Sequence, residues 1–197
     1  MMTDRSVAKD ALLPALTETF RRHGYDGANL ATLARATGLQ KASLYHHFPG
    51  GKQAMAEAVL DAVAAEFEAK IFAPLGGADP LPLRLTAMVR ALGTNFEGGA
   101  SPGLFTVLAE GPQRDLFAPR KARFYGRWIS SLGGALAGSG QSLEESVRRA
   151  ADVVTAIEGA LVLLRGLGDT GPFHRVLHHL EEDLIALAPA HLVASAE

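Results

Sequence analysis

The 197-residue sequence predicts an all-α fold, and three observations carry that expectation. Apolar residues recur every three or four positions along most of the chain, as in Ala8, Leu12, Leu16 and Phe20, or Phe124, Trp128, Leu132 and Leu136. Helix stop signals close these runs at Gly24, Gly38, Pro49-Gly50-Gly51, Gly98-Gly99 and Gly111-Pro112. No segment shows the period-two alternation that a half-buried strand requires.

Each element follows from its punctuation. Leu12, Leu16 and Phe20 share one helix face that ends at Gly24, and Pro14 inside it predicts either a kink or a start beyond Arg5. A second helix follows Asn29, a good N-cap, buries Leu30, Leu33 and Ala34, and ends at Gly38. A short third helix spans about Gln40 to Phe48. Lys52 opens a fourth, with Ala56, Leu60, Val63 and Phe67 on one face, reaching about Phe72. Residues 74–82 read as a linker between Pro74 and Pro82. The next helix turns Leu85, Met88, Leu92 and Phe96 inward. Ser101-Pro102 then caps a short helix that closes at Gly111-Pro112. Beyond the Phe124–Leu136 helix, Ser142 and Glu145 have capping-box spacing before a helix carrying Val147, Val154, Ile157, Leu161 and Leu164. The last helix places Phe173, Leu177, Leu180, Leu184 and Leu187 on one seam. The expected division is a domain at 1–60 and another at 61–197.

Composition narrows the function. Hydrophobic residues form 48% and charged residues 20%, which provides a core and excludes a disordered chain. There is no cysteine, which excludes disulfides, a thiolate nucleophile and Cys-ligated metal centres. The longest uncharged stretch, Trp128 to Leu143, is broken by Ser, Gly and Gln, and the start MMTDRSVAKD is charged, so a soluble cytoplasmic protein is expected. The net charge of −2 is uneven: residues 1–60 hold seven Lys/Arg against five acids. Residues 27–56 contain Arg35, Lys41, Lys52, His46 and His47 but no Asp or Glu. Such a stretch suits a polyanion.

The second and third helices, separated by a turn at Gly38, have helix-turn-helix spacing, whose second helix can enter the DNA major groove. Placing Leu44 and Phe48 inward turns Ala42 and His46 outward, with Ser43 and Tyr45 beside them and Lys41 and His47 at the margins. Gly50, Gly51 and Lys52 would add free N–H groups and an ammonium as a phosphate clamp.

Residues 24–60, GYDGANLATLARATGLQKASLYHHFPGGKQAMAEAVL, closely resemble the DNA-binding domain of TetR-family regulators, with LYHHF followed by Gly51-Lys52 as the most specific block. That family usually has Ser or Thr where Asn29 and Gln40 stand; Asn29 keeps the cap, whereas Gln40 is a poor cap and becomes a candidate DNA contact. IEGALVLLR (Ile157–Arg165) resembles the ligand-binding and dimerisation half of the LmrA/YxaF-like branch. The resemblance implies a homodimeric repressor that binds palindromic double-stranded DNA and is released by a small molecule. It also implies a cavity in the C-terminal helices, for which Phe67, Met88, Leu92, Phe96, Phe105, Leu108, Phe124, Trp128 and Glu158 are the candidate lining; the aromatic residues equally suit a plain core. Glu158 has three open placements: facing solvent, pairing across a dimer, or receiving a polar ligand group. Val154, Leu161, Phe173, Leu177, Leu180 and Leu184 are the candidate dimer face.

Other chemistry is weakly signalled. His174, His178 and Glu182 have metal-ligand spacing but read as a polar stripe beside an apolar seam, so no metal or cofactor is expected. Gly133–Gly140 lacks the Lys-Ser/Thr of a P-loop. A helical-bundle enzyme or a protein-interaction adaptor is the alternative reading, separable by its lack of specific, salt-dependent DNA binding.

Overall fold

The structure is a computed structural model that describes residues 4–101, 103–108, 114–138 and 140–186, with side chains from Lys9 to Asp183 apart from Arg114. The chain forms α1 (Asp4–Gly27), α2 (Leu30–Thr37), α3 (Lys41–His47), α4 (Gly51–Phe67), α5 (Ala73–Leu75), α6 (Leu81–Asn95), α7 (Leu104–Leu108), α8 (Ala118–Ala137), α9 (Leu143–Leu167) and α10 (Gly171–Ala186). No strand occurs among the described residues.

Two compact units divide it. Met1–Ala65 joins Gly103–Lys121 in the first, and Glu66–Pro102 joins Ala122–Glu197 in the second. The boundary expected at residue 60 therefore falls inside α4, and the α7 segment sides with the N-terminal helices.

In the first unit, α1 runs through Pro14 from Asp4; the non-helical residue is Gly24 (φ 65°), not Pro14. Leu16 and Phe20 are fully buried, and α7 packs on α1 with Leu104, Phe105, Val107 and Leu108 buried. Tyr25 stacks on Phe20 at 6.3 Å and meets the edge of Phe117 at 5.2 Å. Arg120, in the first turn of α8, donates to Asp61 at 3.1 Å and lies 3.4 Å from Glu57, tying α8 to α4.

In the second unit, α4 continues as a π turn, Glu68–Phe72, into α5. The linker is thus shorter than expected, because Ala73–Leu75 is helical and Leu81 already begins α6. Leu85, Met88, Leu92 and Phe96 are buried as the spacing predicts. Phe67 lies 4.9 Å from Phe124, 5.5 Å from Trp128 and 5.9 Å from Phe96, and Phe72 touches Phe67, Phe124 and Trp128. Such edge-on ring contacts add to plain area burial.

Ser142 caps α9 by accepting from the Glu145 N–H at 3.2 Å, but the return half of the box is absent: the Glu145 carboxylate pairs with Arg148 instead. α10 packs on both α9 and α6.

Candidate nucleic-acid interface

Local chemistry fixes the α2–α3 turn. The Asn29 side chain accepts from the Ala31 and Thr32 N–H groups at 3.0 Å each, satisfying two donors that a helix start leaves orphaned. Thr32 Oγ1 also donates to it, at 3.2 Å. Gly38 closes α2 in the left-handed region (φ 70°, ψ 11°), where a side chain costs about 1 kcal/mol or more. Gln40 precedes α3 in an extended conformation and makes no capping bond, so its amide is exposed and uncommitted.

Leu44 and Phe48 are buried, and they set the rotation of α3. Lys41, Ala42, Tyr45 and His46 are exposed, while Ser43 and His47 are half-buried. Tyr45 is 46% exposed, an unusual amount of aromatic surface to leave in water without a partner. His46 and His47 meet edge to face at 5.7 Å. His47 Nδ1 is buried with no hydrogen-bond partner, so of the two rings His46 is the one turned outward.

Two features differ from expectation at the start of α4. Gly51 has φ +64°, and a Cβ there would lie 3.2 Å from Tyr45 Cε1; glycine lets the Tyr45 ring lie against this turn. Its N–H donates to the Phe48 carbonyl at 2.8 Å and is not free for a phosphate. The Lys52 ammonium donates to the Tyr25 carbonyl at 2.9 Å and sits 4.3 Å from the Tyr25 ring centroid. Lys52 thus brackets α4 to the end of α1, with its remaining N–H donors left for another acceptor. Burial, and then the charges of Asp26 and Glu57, raise the pKa of the Tyr25 phenol, which stays neutral and hydrogen-bearing.

The result is an acid-free face: an uncommitted amide, an aromatic ring, an imidazole and a lysine on one short helix. Comparisons with known proteins point the same way. Residues 12–59 match the model for bacterial regulatory proteins of the tetR family. The chain is 30% identical over 165 residues to the HTH-type transcriptional regulator LmrA of Bacillus subtilis, covering 79% of this chain and 85% of that one. The chain belongs to the TetR family. It is also 28% identical over 192 residues to an uncharacterized HTH-type transcriptional regulator of Mycobacterium tuberculosis, covering 94% of this chain and 95% of that one. A TetR transcriptional regulator from Legionella pneumophila shares the fold with a TM-score of 0.78 at 21% identity, over 89% of this chain and 96% of that one. The protein is accordingly a DNA-binding transcriptional regulator of that family.

The candidate ligand residues divide between the two units. Phe67, Met88, Leu92, Phe96, Phe124 and Trp128 are buried in the second unit, where the rings fill one another's space. Phe105 and Leu108 are buried in the first unit, where α7 packs on α1. Glu158 is half-buried on α9. A cleft of about 350 Å³ does open in the second unit, bordered in part by Phe72, Leu75, Arg84, Arg127, Ser130 and Ser131; none of the nine expected ligand residues borders it.

The residues expected at a dimer face are mostly covered by the chain's own helices. Val154, Leu161, Phe173, Leu177 and Leu180 are buried within the single chain, because α10 covers α9 and α6 covers α10. Leu184 lies outside the described side chains. The apolar residues that α9 leaves exposed are Leu143, Val147, Val162, Leu163 and Leu167. On α10, His178 Nε2 lies 3.5 Å from Glu182 on an exposed face, and among the described residues no group of three or more His, Asp or Glu is arranged to hold a metal ion.

Proposed function

We propose that the protein is a dimeric repressor that binds a palindromic operator through α3 and is released by a small molecule. The observation that carries this reading is the α3 face itself. Lys41, Tyr45 and His46 are exposed with Gln40 at their N-terminal edge, on a stretch of thirty residues without a carboxylate. Tyr45, His46, Ser43 and Gln40 can reach base edges and sugars, while Lys41 and His47 take phosphates. One seven-residue helix reads too few base pairs for a unique site, and a two-fold pair reads two half-sites about 34 Å apart. The exposed Leu143, Val147, Val162, Leu163 and Leu167 of α9 support a mate, with Leu163 and Leu167 one turn apart on one face, since so many large apolar side chains on one helix are costly in water.

A helical run continuous from Gly51 to Leu75 supports the switching part of the reading. A ligand that displaces its C-terminal end at Phe72–Leu75 loads the same helix whose first turn carries Lys52 and abuts the Tyr45 ring of α3. Coupling of about 1–3 kcal/mol would lower operator affinity about 5–150-fold, and operator DNA would weaken ligand binding equally. DNA as the target implies a cytoplasmic address; among the described residues, no helix is long and apolar enough to cross a membrane. No catalytic role is proposed. Fluorescence-anisotropy titration of DNA flanking the protein's own gene, at several salt concentrations, tests the reading. Specific binding with a steep salt dependence that is lost in Tyr45→Ala or His46→Ala supports it, and retention no stronger than on random DNA contradicts it.

A further inference from the structure

We infer that the cleft at the α5 end of the second unit is a site for a small organic acid, with the Arg84 guanidinium binding its carboxylate. The inference rests on the effector reading above and names the ligand's chemical class. Arg84 borders the cleft and is half-buried there. One of its Nη atoms donates to the Leu75 carbonyl, while its Nε is buried and has no acceptor. No carboxylate of the described residues pairs with it. A buried donor on a fixed positive charge without an acceptor is costly to hold; a carboxylate at the cleft-facing edge of the guanidinium supplies the missing counter-charge, and a small turn of the Arg84 side chain brings Nε–H onto it as the second arm of the fork.

The rest of the cleft says what is attached to that carboxylate. Phe72 and Leu75 supply apolar wall, so the body of the ligand is apolar. Arg127, the second cation, already spends Nε and Nη2 on the two Glu68 oxygens at 2.9 and 2.6 Å and is largely neutralised. The cleft therefore favours one net negative charge rather than the two or more of a phosphate ester. Ser130 and Ser131 donate their hydroxyl hydrogens to the Arg127 carbonyl at 3.0 and 2.7 Å. Their oxygens are left as acceptors, which suits a ligand carrying its own O–H or N–H. A cavity of about 350 Å³ lies at the small end for organic ligands and matches a single-ring acid. Together these point to a monocyclic or short-chain carboxylic acid bearing a hydroxyl or amino group.

The test uses the full chain and three probes: 4-hydroxybenzoate, benzoate and the uncharged benzamide. Calorimetric titration is expected to rank them in that order, with Arg84→Gln weakening 4-hydroxybenzoate about tenfold or more. Ser130→Ala with Ser131→Ala should remove the preference for 4-hydroxybenzoate over benzoate and leave benzoate binding in place. Arginine Nε–H resonances, with that of Arg84 assigned from its loss in Arg84→Lys, give a second reading independent of the variants' stability: the Arg84 signal should move on adding benzoate and stay on adding benzamide. Absence of carboxylate binding, unchanged affinity in Arg84→Gln, or sulfate binding as tightly as benzoate would overturn the assignment. Operator affinity measured with and without the acid separates the two levels. Binding that follows Arg84 but leaves DNA affinity unchanged upholds this site and refutes the release mechanism.

Discussion

Replacing Lys52 with methionine removes one ammonium and keeps the aliphatic stem, which makes its consequences calculable. The variant loses a charge-assisted bond of 2.9 Å to the Tyr25 carbonyl and a cation held 4.3 Å from the Tyr25 ring. Bonds to charged groups contribute about 1.5–3 kcal/mol, and a partly exposed cation–π contact about 0.5–1 kcal/mol. The half-buried ammonium also recovers some desolvation cost when it is removed, so a net loss of about 2 kcal/mol is expected. For a chain of this size that lowers Tm by about 4–8 °C in a thermal melt. A Lys52→Met melt within about 1 °C of the parent would refute the bracket between α1 and α4. The same variant sorts the second role of this residue. If a spare Lys52 N–H also meets a phosphate, the log–log salt slope of DNA binding falls by about one unit; if Lys52 only brackets, the slope is unchanged.

Three further outcomes follow from other parts of the molecule. Gly99 has φ +95°, and a Cβ there would stand 2.9 Å from Cδ1 of the fully buried Phe173; Gly99→Ala should therefore cost at least about 2 kcal/mol in urea unfolding. The bond from Arg127 holds the Glu68 carboxyl below its ordinary pKa; burial opposes it, and the Arg127 charge adds the smallest contribution. Its contribution is present above the unfolded-state value of about 4.3 and is lost as pH falls through the lower folded value. Because both side chains are more than two-fifths exposed, Glu68→Gln should cost less than about 1 kcal/mol at pH 7 and nothing near pH 2, as read from melts across that range. Leu163 and Leu167 are exposed in the single chain, so if the proposed dimer forms through this helix, Leu163→Lys combined with Leu167→Lys should leave the circular dichroism spectrum unchanged and make the protein sediment as a monomer.

The sequence was most legible where a local signal and a local structure coincide. Asn29 and Gly38 fix both ends of α2 through contacts within a few residues, and the four-residue spacing of Leu85–Phe96 and Phe124–Leu136 reports buried faces directly. Gln40 was recognisable as a poor cap because its side chain suits no cap bond, and none is made. What periodicity does not contain is the partner of a face. The α9 and α10 seams read as surplus apolar surface, but α6 covers α10 within the chain, and Val147 turns outward while Ala150 is buried. The Phe105 segment closes on α1, about eighty residues away in sequence, and no local pattern announces that partner. Lys52 lies twenty-seven positions from the carbonyl it binds, and Arg84 forty-three from Arg127; no spacing rule links such pairs. The π turn at Glu68–Phe72 also lacks punctuation, since no Gly or Pro marks it.

Selection of bound sequences from a random DNA library tests the central claim most directly, because it assumes no operator. Repeated rounds with the full chain should enrich an inverted repeat whose half-site centres lie about one helical turn apart, or a small multiple of that, with two chains on each duplex. A His46→Ala protein taken through the same rounds should yield a repeat of the same spacing with relaxed preference at one position in each half-site. A pool that stays random, or a single unrepeated site bound by one chain, would contradict the account.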